Sequence, residues 1–175
     1  MRLKDKTAII TGGGSGIGLA TAHAFCEEGA QVILFGRQKE KLISAANELD
    51  DSTLIVQGDM TKNDDLDQLV NNTLKNFKGI DILVNSAGLF NGAPLHEISD
   101  SQWDGIMDIN IRSVFQLTRR VLPTMIAQKN GSIVHISSIA GLIALPGVAA
   151  YNVSKGALNQ FSRSIAVEYG SYGIR

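Results

Sequence analysis

The sequence holds one cysteine, Cys26, so no intrachain disulfide can form and the fold must rest on its hydrophobic core. That usage suits a reducing compartment. Cys26 falls in a helical apolar pattern, which predicts a small buried thiol rather than a reactive one. Charge of neither sign is in excess: 16 Lys and Arg oppose 17 Asp and Glu, for a net charge of -1. These charges are spread along the chain, which argues against a nucleic acid or a membrane surface as the main partner. No apolar run approaches the ~20 residues needed to cross a bilayer. Met1 to Lys6 lead into a strand pattern without the layout of a signal peptide, so a soluble, cytoplasmic protein is expected. The three histidines, His23, His96 and His135, are scattered without metal-ligand spacing, and no metal site is predicted. There is no repeat, low-complexity tract or Pro- or Ser-rich linker in the 175 residues, which fits one domain spanning 1–175.

What is present is an alternation. Thr7 to Thr11 reads as a strand and Gly16 to Glu28 as a helix. Gln31 to Phe35 is the next strand and Glu40 to Leu49 the next helix. Thr53 to Gln57 is a third strand, followed by a helix to about Phe77 in which Thr61 and Asp64 resemble a capping box. Ile80 to Val84 and Ser132 to Ile136 are further strands. Between them a long helix is predicted from about Asp100 to Ile126, with Trp103, Ile106, Met107, Val114, Leu117 and Val121 on its apolar face. Tyr151 to Tyr169 is the last helix. Strands alternating with helices predict an α/β fold, a doubly wound parallel sheet with helices on both faces. The continuous apolar strands agree with burial on both sides. Ligands of such sheets bind beyond the carboxyl ends of the strands.

Directly after the first strand stands Thr11-Gly12-Gly13-Gly14-Ser15-Gly16-Ile17-Gly18. Glycines permit a sharp turn and close approach of backbone to a pyrophosphate, and the following helix N-terminus offers free N–H groups and a positive dipole end. The spacing Gly12, Gly16, Gly18 departs from strict G-x-G-x-x-G. No Lys-Ser or Lys-Thr pair closes a Walker loop. Tyr151 and Lys155 are four apart at the start of the last helix and therefore share a face. A tyrosine titrates near ~10, and a neighbouring ammonium lowers that value and makes it usable for proton transfer near neutral pH. Ser138, at the end of the fifth strand, lies on the same side of the sheet. The bland alternatives are a glycine-rich turn, a packed tyrosine beside a solvated lysine, and a serine cap.

Taken in order, these residues resemble the short-chain dehydrogenase/reductase family. Thr11 to Gly18 is similar to its T-G-x-x-x-G-I-G loop. Asn85-Ser86-Ala87-Gly88 is similar to its N-N-A-G strand end, with Ser86 for the second Asn. Asn110, Ser138, Tyr151 and Lys155 match its catalytic set. The resemblance implies a Rossmann-like sheet and an oxidoreductase that passes hydride between NAD(P)H and an alcohol or carbonyl. It implies that Tyr151 is the general acid or base, that Lys155 lowers its pKa and holds the nicotinamide ribose, and that Ser138 orients the substrate. Asn110 would support a water-linked proton path to Lys155. Gly12, Gly14, Ser15, Gly16, Ile17 and Gly18 would face the dinucleotide, as would Asp59 and Met60 at the adenine and Asn85, Ala87 and Gly88 further on. A homodimer or homotetramer, assembled through the long helix and the last helix, follows from the same resemblance.

An acid at the end of the second strand would favour NAD(H). Gly36 stands there instead, followed by Arg37, whose guanidinium suits a ribose 2′-phosphate, with Lys39 adding charge. NADP(H) is therefore expected in preference to NAD(H). Gly88 to Ile98 and Leu142 to Val148 are loop-like segments that could border a substrate pocket. Family members continue past Gly173-Ile174-Arg175 with further strands, so the C-terminal strands are expected to be missing and the last residues to fray. A dinucleotide-binding module without turnover is the alternative on that ground. An epimerase or dehydratase with the same Tyr-Lys pair is a third reading.

Overall fold

The computed structural model describes residues 1–49 and 53–175. The fold is built outward from β1 (Thr7–Thr11), five residues that are all buried. Side chains alternate between the two faces of a strand, and in β1 both faces are covered. Ala8 and Ile10 pack with Ala22, Leu42 and Ala45 on one side, whereas Ile9 packs with Leu66, Leu69, Leu117 and Val121 on the other. Each fully buried Leu or Ile stabilises the fold by roughly 1.5–3 kcal/mol.

β2 (Gln31–Gly36) and β3 (Thr53–Gln57) add in parallel on one side of β1, and β4 (Ile82–Asn85) and β5 (Ser132–His135) on the other. Among the described residues the sheet order is β3-β2-β1-β4-β5. α1 (Gly16–Glu27) and α2 (Lys39–Asn47) line one face, and α3 (Asn63–Asn76) and α5 (Ser113–Gln128) the other. The chain winds away from β1 through β2 and β3, then returns to open the opposite side with β4. That reversal leaves a crevice between the carboxyl ends of β1 and β4, where a doubly wound sheet binds its ligand.

The predicted Asp100-to-Ile126 helix is two helices. α4 (Asp100–Met107) begins with a Ser99–Gln102 capping box, and a π-helical turn, Asp108–Arg112, joins it to α5. The π turn interrupts the α-helical hydrogen bonding, yet the buried stripe continues through it from Ile106 to Asn110, Val114 and beyond. Ile106, Val114, Leu117 and Val121 are buried as expected, but Trp103 is 37% exposed. The same turn brings Asn110 inward. α6 (Ala149–Tyr169) starts two residues before Tyr151.

The Thr61 capping box does not form: α3 begins after Lys62, and the Thr61 N–H and hydroxyl both donate to Asp59 Oδ1 at 2.9 Å. An acid two residues back competes successfully for the donors of Thr61, as in an Asx turn. Cys26 is half-buried, its Sγ 3.9 Å from Thr53 Oγ1. The last residues are tied down rather than frayed. Ile174 is buried in the core, Gly131 pairs with it, and Ile133 N donates to Arg175 O at 2.8 Å.

Candidate dinucleotide and proton-transfer site

The crevice holds a cavity of about 400 Å³, lined by Gly12, Gly14, Ser15, Ile17, Gly36, Arg37, Asp59, Met60, Ala87 and Gly88 among others. Thr11 braces its floor. The buried Thr11 hydroxyl accepts from Ser86 N at 3.1 Å and from Ala87 N at 3.0 Å, which ties the end of β1 to the chain leaving β4. Gly12 has a positive φ of 67°, and a methyl group on it would meet Ala87 Cα at 3.1 Å. A Cβ on Gly18 would collide with the Gly12 carbonyl. Gly12 and Gly18 therefore let the loop fold tightly onto the first turn of α1. No side chain caps that helix: Ser15 is extended and makes no capping bond. The first N–H groups of α1 are thus open to an anion. Ile17, 60% exposed, stands at the mouth.

Arg37, Asp59 and Met60 gather at the far end, at the tips of β2 and β3. Thr61 hydrogen bonds lower the Asp59 pKa, foremost the one from its backbone N–H, and the charges of Arg37 and Lys62 contribute as well. Met60 is buried. Lys41 also lines the cavity, against Gly14, whereas Lys39 does not. Arg37 reaches the cavity from the end of β2, and Lys41 from the first turn of α2, which packs against the glycine loop at Gly14. No local pattern in the sequence marks Lys41, because its place at the cavity depends on how α2 packs against the glycine loop.

Leu89 and Ile109 also line the cavity, whereas Tyr151, Lys155 and Ser138 do not. Gly88 joins the two parts: a methyl group there would sit 3.4 Å from Asn110 Oδ1 and 3.9 Å from Lys155 Nζ. Lys155 is 6% exposed, donates to Ile136 O at 2.7 Å, and stands 5.5 Å from the centre of the Tyr151 ring. Burial lowers its pKa. No carboxylate pairs with it among the described residues.

Asn110 is 1% exposed and clamps the backbone of Leu89, accepting from its N–H at 2.8 Å and donating to its C=O at 2.9 Å. Its amide also donates to Ser154 Oγ at 3.1 Å, and that hydroxyl donates to Tyr151 O at 2.8 Å. One buried side chain thus fixes the loop after Gly88 against the helix turn that carries Tyr151. Ser138 caps the short turn Ile139–Gly141, its Oγ accepting from Ala140 N at 3.1 Å. Its hydroxyl hydrogen is left over for a further acceptor.

Asn85 does not line the cavity. Its Nδ2 lies 3.1 Å from His135 Nδ1, across the register pair Asn85–His135 of β4 and β5. Burial, and secondarily the charge on Lys155, holds the His135 pKa down to about 4. Gly16 and Gly18 do not line the cavity; they shape the backbone that does.

Comparison with known proteins gives a consistent picture. A sequence model described as short chain dehydrogenase matches residues 6–175. An uncharacterized oxidoreductase of Staphylococcus aureus (strain MRSA252) is 36% identical over 174 residues, 99% of this chain and 75% of the relative. The 3-oxoacyl-[acyl-carrier-protein] reductase of Thermotoga maritima is 36% identical over 178 residues, covering 100% of this chain and 72% of the reductase. A solved short chain dehydrogenase from Bacillus anthracis superposes with a TM-score of 0.95 at 32% identity, over 99% of this chain and 74% of that one.

Proposed function

The chain belongs to the short-chain dehydrogenase family of oxidoreductases, and we propose that it transfers hydride between NADPH and a carbonyl or alcohol, with Tyr151 as the proton-transfer group. The observation that carries this reading is the unpaired, buried Lys155 ammonium 5.5 Å from the Tyr151 ring. The fold thus sets the hydroxyl-bearing ring and a hydrogen-bond donor side by side at the carboxyl end of the sheet, the pairing that proton transfer to or from a substrate oxygen needs.

The residues present fit a dinucleotide. The open N-terminus of α1 and the tight turn at Gly12 suit a pyrophosphate. Asp59 and Met60 suit the adenine end. Arg37 and Lys41 supply positive charge where a 2′-phosphate would lie, and Gly36 places no acid against it. This favours NADP(H) over NAD(H). When bound, the nicotinamide supplies or accepts the hydride.

The chain's own residues do the rest. Lys155 uses one N–H on Ile136 O and keeps two for other acceptors, with its Nζ close to Gly88. Ser138 offers its hydroxyl hydrogen to the substrate oxygen. Asn110 is a positioning residue that keeps Leu89 and the Tyr151 turn in register. The alternative of a binding module without turnover finds no support in relatives named as an oxidoreductase and a reductase. A homodimer or homotetramer would use α5 and α6, where Phe115, Val153 and Val167 are exposed. Among the described residues no helix is long and apolar enough to cross a membrane.

Tyr151→Phe tests the proposal. Removing one proton-transfer group should lower kcat by about 10²–10⁴-fold while NADPH binding, followed by its fluorescence, stays within about twofold. Retained turnover in that variant would refute the role of Tyr151.

A further inference from the structure

Tyr151 has an aromatic neighbour that proton transfer leaves unused. Phe90 meets its ring edge to face, with centroids 4.9 Å apart and planes at 86°. Phe90 is nevertheless 63% exposed. It is held against the tyrosine by one edge while most of its surface stays open.

The segment joined to the Phe90 loop has the same character. From Ile139 to Ala150 no residue carries a polar or charged side chain, and none between Gly88 and Leu95 is charged. Leu142 is 74% exposed, and Ile139 and Ile143 are exposed beside it. This segment is fixed in place. Asn152, one residue past Tyr151, donates to Leu145 O at 2.8 Å and accepts from Leu145 N at 3.3 Å. Asn159 donates to Gly141 O at 3.0 Å. Ala93 pairs with Val148, which joins the Phe90 loop to the same segment. A single exposed apolar side chain is ordinary, but a fixed apolar set around a candidate proton donor is what a ligand site needs.

We propose that Phe90 is a specificity-determining residue and that the substrate carries an aryl or alkyl group next to its carbonyl, seated between Phe90 and the Ile139–Val148 segment. This rests on the oxidoreductase reading above. A phosphorylated or carboxylated substrate finds no counter-charge on these two segments, and a polyhydroxylated one gives up water without replacement hydrogen bonds.

The test compares 4-phenyl-2-butanone with dihydroxyacetone on NADPH-loaded protein, wild type and Phe90→Ala. Binding is followed by saturation-transfer NMR in the Tyr151→Phe background and reduction by kcat/KM in the active background. Wild type should prefer the aryl ketone at least about tenfold. Phe90→Ala should weaken its binding and its kcat/KM about five- to tenfold, the loss expected for one aromatic contact, and leave dihydroxyacetone unchanged. Phe90→Leu should recover part of the loss. An equal effect on both ketones, no binding of either, or a preference for dihydroxyacetone would overturn the proposal. Reduction of dihydroxyacetone alone would do so while upholding the oxidoreductase reading. Phe90-dependent binding of the aryl ketone without reduction would uphold the apolar site and overturn that reading.

Discussion

Replacing His135 by Asn makes the pH dependence of stability a test of the site's inner packing. His135 sits between Asn85 and Phe161, its ring 5.7 Å from the phenylalanine ring. Its pKa is held at about 4 against an ordinary value of 6.5, chiefly because burial penalises the charged form and secondly because Lys155 is near. The unfolded chain therefore binds a proton below pH ~6.5 that the folded chain refuses until pH ~4, and stability must fall as pH falls through that window. From these two values the loss between pH 7 and pH 5 is about 2 kcal/mol. It is nearly absent above pH 7 and complete below pH 4. Physically, the added proton takes the Nδ1 lone pair that faces Asn85 Nδ2 and places a second positive charge near Lys155. His135→Asn keeps an acceptor for Asn85 but does not titrate. Urea unfolding followed by Trp103 fluorescence and circular dichroism at pH 7, 6 and 5 gives the comparison. The variant should be less stable at every pH for want of the ring, yet its stability should fall by about 2 kcal/mol less than that of the wild type across the window. Parallel pH profiles for the two proteins would refute the reasoning.

Other consequences follow from single side chains. Asn110→Ala removes both hydrogen bonds to the part-buried backbone of Leu89, and should cost roughly 1–3 kcal/mol, seen as a melting point lower by about 2–12 °C; an unchanged melting point would contradict the clamp. Gly18→Ala presses a methyl group onto the Gly12 carbonyl, and should weaken NADPH binding about tenfold to hundredfold by fluorescence titration through the strain of overpacking. Undiminished binding would mean that the loop does not need its tight form. In Gly36→Asp/Arg37→Ala the new carboxylate has room, since Leu42 Cδ2 is the nearest atom at 3.5 Å. The ratio of kcat/KM for NADPH over NADH should fall by about tenfold to hundredfold, the scale of one or two charge-assisted hydrogen bonds, and a constant ratio would remove Arg37 from the cofactor argument.

The sequence by itself determined the sheet. Thr7–Thr11 and Thr53–Gln57 are predicted and observed with the same bounds, because each is a short apolar run whose ends are local events. The glycine turn and the Tyr151–Lys155 pair were legible for the same reason: each is a local pattern whose spacing implies its geometry. Tertiary structure decided what depends on partners far along the chain. The π turn at Asp108–Arg112 exists where Asn110 can clamp Leu89, 21 residues away, and no helical periodicity announces such a partner. Asn85 turns to His135, 50 residues on, because the register of β4 on β5 sets them side by side. Lys41 enters the cavity because α2 packs against the glycine loop, and Phe90 meets Tyr151 because two loops pair at Ala93 and Val148. Local sequence fixes the elements and their polarity; which side chains converge beyond the strand ends is set by how those elements pack.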